Sequence, residues 1–201
     1  MFFAKKKPQL DGLPVWMDPA EFATLVAAVH AIGPTSFLEW GVGGSTRALL
    51  AAFPTIERYL AVEHNPAWVE QVRSVVADPR LSLQLVLPDT PPPPGGGPRR
   101  AAGQPAQESP AFDDRAEYDR SLMKTYIETP RRLGFRPDFV LVDGRARRFC
   151  LMEAFDLVRP GGVVALHDAQ REEYHGVLRD LGAPRFLEPW TQGQIALLRK
   201  A

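Results

Sequence analysis

Ser36-Phe37-Leu38-Glu39-Trp40-Gly41-Val42-Gly43-Gly44-Ser45 passes from a short apolar run, through a cluster of glycines, into a segment of helical character that continues to about Ala52. A short run of this kind bounded by glycine is strand-like, and a glycine cluster between strand and helix is a tight turn with no Cβ between backbone and ligand. Strand, turn and helix in that order make one βα unit. Its turn stands at the amino end of a helix, where bare N–H groups favour polar and anionic ligands.

The same rhythm continues outward on both sides. Asp18-Pro19-Ala20-Glu21 supplies an N-cap, a proline at N1 and an acid at N3 to a helix whose apolar residues Phe22, Leu25, Val26 and Val29 recur at helical spacing, and Gly33 closes it. Tyr59 to Glu63 is a second strand, Asn65-Pro66 caps a helix carrying Trp68, Val69, Val72 and Val76, and Leu81 to Leu87 is a third strand. A helix is predicted from about Asp114 to Leu133, with Pro130 kinking or ending it. Asp138 to Asp143 is a fourth strand, apolar on both faces as parallel central strands are. Arg145 to Val158 is a helix, Gly161-Gly162 a turn, and Val163 to Leu166 a fifth strand running into His167-Asp168. A helix from about Glu172 to Leu181 precedes a closing antiparallel pair, Arg185 to Leu187 and Gln194 to Leu198. The sum is a doubly wound, three-layer α/β/α domain with a mostly parallel sheet.

The chain of 201 residues has the length of one ordinary domain, so 1–201 is expected to be a single unit with a helical lead-in at 1–34. Residues 88–112 interrupt the alternation: eight of the twenty prolines fall between Pro88 and Pro110, and Pro91 to Pro94 run into Gly95-Gly96-Gly97. Such a stretch supplies no core element and is expected to be a mobile insertion. With 45% hydrophobic and 24% charged residues the rest can bury a sizeable core. Lys plus Arg equals Asp plus Glu, 24 against 24, so there is no basic excess and no nucleic-acid partner is expected. One cysteine, Cys150, excludes an internal disulfide framework and a multi-cysteine zinc site, and reads as a packing residue. The N-terminus, Met1-Phe2-Phe3-Ala4-Lys5-Lys6-Lys7, puts apolar residues before the charges, the reverse of a secretory signal, and no stretch approaches the ~18 apolar residues of a membrane span. A cytoplasmic protein with no membrane partner is the expectation.

In doubly wound sheets ligands lie outside the carboxyl ends of the strands, near the point where strand order reverses. The chain places there Glu39, Gly41, Gly43, Gly44 and Ser45 after the first strand, and Glu63 and His64 after the second. Asp143, Gly144 and Arg145 follow the fourth, and His167, Asp168 and Gln170 the fifth. Glu63 stands 24 positions after Glu39, near the distance at which an acid reads ribose hydroxyls. Two hydroxyl donors on one carboxylate are worth about 1.5 to 3 kcal/mol each, enough to select a nucleoside. The dinucleotide fingerprint G-x-G-x-x-G requires glycine where Thr46 stands, which counts against a nicotinamide-dependent oxidoreductase.

Glu39-Trp40-Gly41-Val42-Gly43-Gly44-Ser45, Ala61-Val62-Glu63-His64, Asp138 to Gly144, and Leu157-Val158-Arg159-Pro160-Gly161-Gly162 leading to His167-Asp168 resemble successive motifs of the class I S-adenosylmethionine-dependent methyltransferases, from about Phe37 onward. The resemblance implies a Rossmann-like seven-stranded sheet in the order 3-2-1-4-5-7-6 with the last strand antiparallel, S-adenosylmethionine as cofactor, and methyl transfer to an oxygen or nitrogen of a small molecule as activity. It also implies that the first motif cradles the methionine part of the cofactor, with Glu39, Gly41, Gly43, Gly44, Ser45, Glu63, His64 and Asp143 as cofactor contacts and Glu63 on the ribose. Ser45 replaces the usual third glycine, and the region after the third strand, which normally supplies an adenine contact, runs into Pro88-Asp89-Thr90.

For catalysis the sequence offers Asp143, His167 and Asp168. Asp143 or His167 is a candidate general base, an effect worth roughly 10² to 10⁴ in rate. Asp143 and Asp168 also stand where one branch of the family, the divalent-metal-dependent O-methyltransferases, binds its metal, which would make them Mg²⁺ ligands; that branch has an Asp-Asn pair where Asp168 is here followed by Ala169. Arg145, Arg147 and Arg148 are candidates to clamp an anionic acceptor, or form a charged helix start, and Tyr174 and His175 line a pocket mouth or face water. The alternative outside catalysis is a methyltransferase-like domain that binds a nucleoside or a protein partner without turnover.

Overall fold

The computed structural model describes residues 9–10, 13–91, 110–187 and 193–201. A two-residue antiparallel ladder, Gln9–Leu10 with Leu13–Pro14, comes first. The sheet follows, with strands β1 (Ser36–Trp40), β2 (Arg58–Glu63), β3 (Leu81–Leu85), β4 (Phe139–Val142), β5 (Val163–Leu166), β6 (Arg185–Phe186) and β7 (Ala196–Arg199). Their order across the sheet is β3-β2-β1-β4-β5-β7-β6, parallel except for β7, which runs against β5 and β6. This is the expected topology, and the order reverses between β1 and β4. Helices α1 (Pro19–Ile32), α2 (Gly44–Ala52) and α3 (Pro66–Val75) connect the first half; α4 (Pro110–Ala116), α5 (Lys124–Arg132), α6 (Arg147–Leu157) and α7 (Glu172–Leu181) the second.

Period-2 alternation along the strands decides which helices cover which face. Leu38, Trp40, Leu60, Val62, Val140, Val142, Val164 and Leu166 point to the side where α4 to α7 bury Phe112, Tyr126, Leu151 and Tyr174. Phe37, Tyr59, Ala61, Phe139, Leu141, Val163 and Ala165 point to the other, against Leu25 and Val29 of α1, Leu49 of α2 and Val72 of α3. On that face Phe37 stacks between Tyr59 and Phe139 at centroid distances of 4.8 and 5.2 Å. Local signals act as expected: the Asp18 carboxylate caps α1 at the Ala20 N–H (2.9 Å), and Gly33 ends it with φ +60°.

One expectation changes. The single helix predicted over Asp114–Leu133 is three pieces, α4, a 3₁₀ turn at Arg120–Met123 and α5, because Asp119 caps the turn at Ser121 while Asp89 takes the Thr125 N–H (2.8 Å) and hydroxyl (2.6 Å) at the start of α5. Pro130 lies inside α5 rather than at its end. At the edges of the insertion expected over 88–112, Asp89 is tied to α5 and Phe112 is 2% exposed in α4; residues 92–109 lie outside the described residues. Among the described residues no helix is long and apolar enough to cross a membrane.

Candidate functional site

The carboxyl ends of β1, β2, β4 and β5 converge where the strand order reverses, and glycine makes that convergence possible. Gly41 has φ +88°, and a Cβ on it would lie 2.8 Å from the Gly144 nitrogen and 2.9 Å from the Asp143 carbonyl carbon. The turns after β1 and β4 therefore touch backbone to backbone. A Cβ on Gly44 would meet the Pro14 carbonyl at 2.6 Å, and one on Gly43 the Trp68 ring at 3.3 Å. Gly44 thus receives the segment preceding α1, and Gly43 receives α3, whose Trp68 indole N–H donates to the Val42 carbonyl.

Glu39 and Glu63 share a sheet face, because Glu39 pairs in register with Ala61, two positions before Glu63. Both hold the glycine turn, from different sides. Glu39 is 0% exposed and accepts the Ser45, Thr46 and Tyr59 hydroxyls, each at 2.7 Å. The Thr46 hydroxyl also accepts the Gly43 N–H at 3.0 Å, so Glu39 ties the first turn of α2 to the loop before it. Burial drives the Glu39 carboxyl up to about 7 despite these donors, with Asp143 adding to the rise. Glu63 accepts the Val42 N–H on Oε2 (3.2 Å) and the His64 and Asn65 N–H groups on Oε1 (2.7 and 2.8 Å). Burial raises the Glu63 carboxyl, but the His64 imidazole and these amides outweigh it and hold it below its usual value. His64 sits edge-on to Tyr126 at 5.7 Å.

On the far side of the reversal, β4 ends at Asp143 and β5 at His167 and Asp168. Asp168 has φ +60° and Ala146, at the start of α6, φ +51°. The alanine in particular stores strain at this rim, a departure that clusters at functional sites. Arg147 occupies the space between the two acids. Its guanidinium donates to Asp143 Oδ1 (3.1 Å) and Asp168 Oδ2 (3.0 Å), and to the backbone carbonyls of Asp143, Gly144 and His167. The His167 Nδ1 lies 2.7 Å from Asp143 Oδ1. Burial would lower the His167 imidazole, but Asp143 and then Glu21 push it up to about 10, against the opposing charge of Arg147. Burial raises Asp143, and His167 with Arg147 and Arg145 bring it below its usual range.

This arrangement reassigns several expected roles. Asp143 and Asp168 do come together, but around a guanidinium and beside an imidazolium; a divalent cation between them would need the space and the lone pairs Arg147 already uses, so the residues present do not fit Mg²⁺. Both ring nitrogens of His167 face carboxylates, Nδ1 that of Asp143 and Nε2 that of Glu21. The expected arginine clamp for an anionic acceptor is also turned inward: Arg147 is 7% exposed, Arg145 pairs with Asp113 at 2.8 Å, and Arg148 lies over the Tyr118 ring while its N–H meets Glu117. Tyr174 is buried and His175 donates through Nε2 to the Ala169 carbonyl at 3.0 Å, so neither is a free pocket-mouth group. Asp89, next to the position where the resemblance implies an adenine contact, is committed to α5.

Three residues of the site have no assigned role in the sequence pattern: Tyr59 and Thr46, which hold Glu39, and Glu21 of α1, whose carboxylate lies 3.4 Å from His167 Nε2. Glu21 had a signal. It precedes Leu25 and Val29 by four and eight positions, on the face α1 turns to the core. A cleft of about 250 Å³ lined by Gly33, Asp138, Arg159 and Gly162 opens at the opposite end of the strands, where the Asp138 carboxylate already serves the Thr35 and Ser36 N–H groups.

No protein-family model matches the chain, and no curated protein matches it. Solved structures do. A methyltransferase-like protein from Silicibacter pomeroyi is 24% identical, with 94% of this chain and 90% of that one covered and a TM-score of 0.57. An O-methyltransferase from Bacillus cereus, solved with S-adenosylhomocysteine, is 15% identical over 92% of this chain and 82% of that one, TM-score 0.60. A 16S rRNA N2 G1207 methyltransferase from T. thermophilus, solved with S-adenosylmethionine and guanosine, is 18% identical over 92% of this chain and 44% of that one, TM-score 0.55. The chain therefore has the Rossmann-like fold of the class I methyltransferases, strand order and antiparallel β7 included.

Proposed function

We propose that the chain binds S-adenosylmethionine at the Gly41–Ser45 turn and transfers its methyl group to an oxygen or nitrogen of a small molecule. The observation that carries this reading is the seating of Glu63 at the end of β2 with one carboxylate oxygen on the Val42 N–H of the glycine turn. That oxygen keeps a second lone pair for a ribose hydroxyl, and beside it Gly41 and Gly144 are in backbone contact, with the Tyr126 hydroxyl packed against Gly144. Glu39 acts on the ligand through the turn, because its carboxylate is fully enclosed by three hydroxyls. The bound cofactor supplies an activated methyl group on a sulfonium.

The chain's own part is placement. Asp143, ionised and fixed by Arg147 and His167, is the strand-end group suited to orient an incoming hydroxyl or amine by accepting its hydrogen bond. The fold is shared with bound S-adenosylmethionine and S-adenosylhomocysteine complexes, which supports the cofactor. One of these acts on ribosomal RNA, so the fold does not separate small-molecule from nucleic-acid acceptors; the balanced charge of this chain favours the former. A second reading, a nucleoside binder without turnover, is favoured by the internal neutralisation of Asp143 and Asp168 by Arg147. Incubation with methyl-labelled S-adenosylmethionine and a panel of phenols, catechols and amines tests the pair. Labelled product with S-adenosylhomocysteine release supports the enzyme; tight uptake without product supports the binder; binding of NAD alone overturns both.

A further inference from the structure

Glu21 is 2% exposed, and among the described residues neither of its carboxylate oxygens takes part in a hydrogen bond. A buried carboxylate without donors costs several kcal/mol unless a counter-charge stands beside it. The counter-charge is His167. Its Nε2 lies 3.4 Å from Glu21 Oε2 and its Nδ1 2.7 Å from Asp143 Oδ1, so the ring is sandwiched between a carboxylate from α1 and one from the end of β4. Gly193, shortly before β7, seals the pair: a Cβ there would stand 2.8 Å from Glu21 Oε2 and 3.0 Å from His167 Nε2. Among the described residues the other charged groups facing the ring are Asp168, 3.8 Å from Nε2, and Arg147 of α6, which donates to the His167 carbonyl.

We propose that Glu21 is a positioning residue of the strand-end site: with Asp143 it clamps His167 as a fixed imidazolium, and through that ring it holds the Asp143 carboxylate ionised and oriented beside the Gly41–Gly144 crossing. Helix α1, outside the β1-to-β7 unit, is then part of the site and not only its cover. A ring paired with a single acid through Nδ1 is free to swing about that bond; a second acid on Nε2 removes the freedom and adds to the attraction that keeps the proton on. The electrostatics agree in direction, since Asp143 and Glu21 both raise the His167 imidazole and His167 in turn lowers the Asp143 carboxyl. The proposal rests on the methyltransferase reading only for the ligand that Asp143 meets; the clamp itself belongs to the free protein.

Long-range ¹H–¹⁵N NMR of the full chain, following its four histidine rings against pH, is the test. In the wild type His167 keeps the imidazolium pattern at about pH 8, where an ordinary histidine of pKa about 6.5 is neutral. The isosteric change Glu21→Gln lowers the His167 titration by about 1 to 3 units, the range for loss of one adjacent opposite charge. A neutral His167 in the wild type at that pH overturns the proposal. So does a folded Glu21→Gln protein that melts earlier yet titrates His167 as before, the outcome of a packing role alone. S-adenosylhomocysteine titration of the same two samples keeps the cofactor question separate: wild type with a clamped His167 and no binding discards the methyltransferase reading and leaves the clamp standing, whereas a clamp that fails in a protein that binds discards Glu21 alone.

Discussion

Gly41 and Gly144 meet backbone to backbone at the point where the sheet reverses its order, with a Cβ on either one falling within 2.9 Å of the other's nitrogen. No side chain fits at that crossing. The strand ends around it carry the acids of both halves of the sheet, Glu39 of β1 and Glu63 of β2 on one side and Asp143 after β4 on the other.

Gly41→Ala combines a left-handed backbone, costing about 1 to 2 kcal/mol, with overpacking against backbone that cannot move aside, costing about 1 to 3 kcal/mol more. At about 2 to 4 °C per kcal/mol for a chain of this size, the melting temperature falls by roughly 4 to 20 °C. Gly33→Ala is the control. It has φ +60° but nothing within 4 Å of its Cβ. Only the backbone term of about 1 to 2 kcal/mol applies there. Equal losses in thermal melts of the two variants contradict the close approach.

Glu39 should give the protein a stability that falls as pH rises. Its folded carboxyl is raised from 4.5 to about 7, so between those values the unfolded chain has released a proton that the folded chain still holds. Unfolding is then favoured progressively across that window and levels off above it. Glu39→Gln removes this slope: wild type loses stability relative to the variant from pH 4.5 to about 7, by a few kcal/mol in order of magnitude. Parallel denaturation curves at every pH refute the assignment.

Arg147 is the counter-ion of Asp143 and Asp168, and Arg147→Met leaves both without it, a loss of about 3 to 5 kcal/mol for a broken buried pair. For the same reason chelators should leave S-adenosylhomocysteine binding and any turnover of the wild type unchanged. Activity abolished by chelator and restored by Mg²⁺ would mean that Arg147 gives way to metal.

The clamped ring of His167 predicts alkaline sensitivity. Because its folded imidazole is raised from 6.5 to about 10, the stabilisation it provides is complete below pH 6.5 and lost as pH climbs through about 10. His167→Gln should flatten that loss in denaturant melts, and an unchanged alkaline limb contradicts the clamp.

Much of this fold is legible in the residues because local and global signals agree. The apolar runs of β1, β2, β4 and β5, the caps at Asp18 and Asn65 and the glycine turn all specify the same alternation, and the sheet realises it. Legibility stops where long-range contacts decide. Asp89 breaks the helix expected after it by capping α5 from 36 residues away. Arg147 looks like a surface charge at a helix start, and only the approach of β5 shows that its donors are consumed internally. Glu21 satisfies a capping pattern and a core-facing periodicity at once, and the sequence cannot say which prevails until His167 is placed opposite it. Glu63 lies at the end of β2 as the spacing demands, whereas the enclosure of Glu39 depends on Tyr59, a residue that reads as core.

The central claim is that Glu63 reads the ribose of an adenosyl ligand beside the glycine turn. Calorimetric titration of S-adenosylhomocysteine into wild type and Glu63→Gln tests it. The expected result is stoichiometric binding by the wild type and an affinity about 10- to 100-fold weaker in the variant, the loss of one or two charge-assisted hydroxyl bonds. Equal affinity in both proteins, or no binding by the wild type, contradicts it.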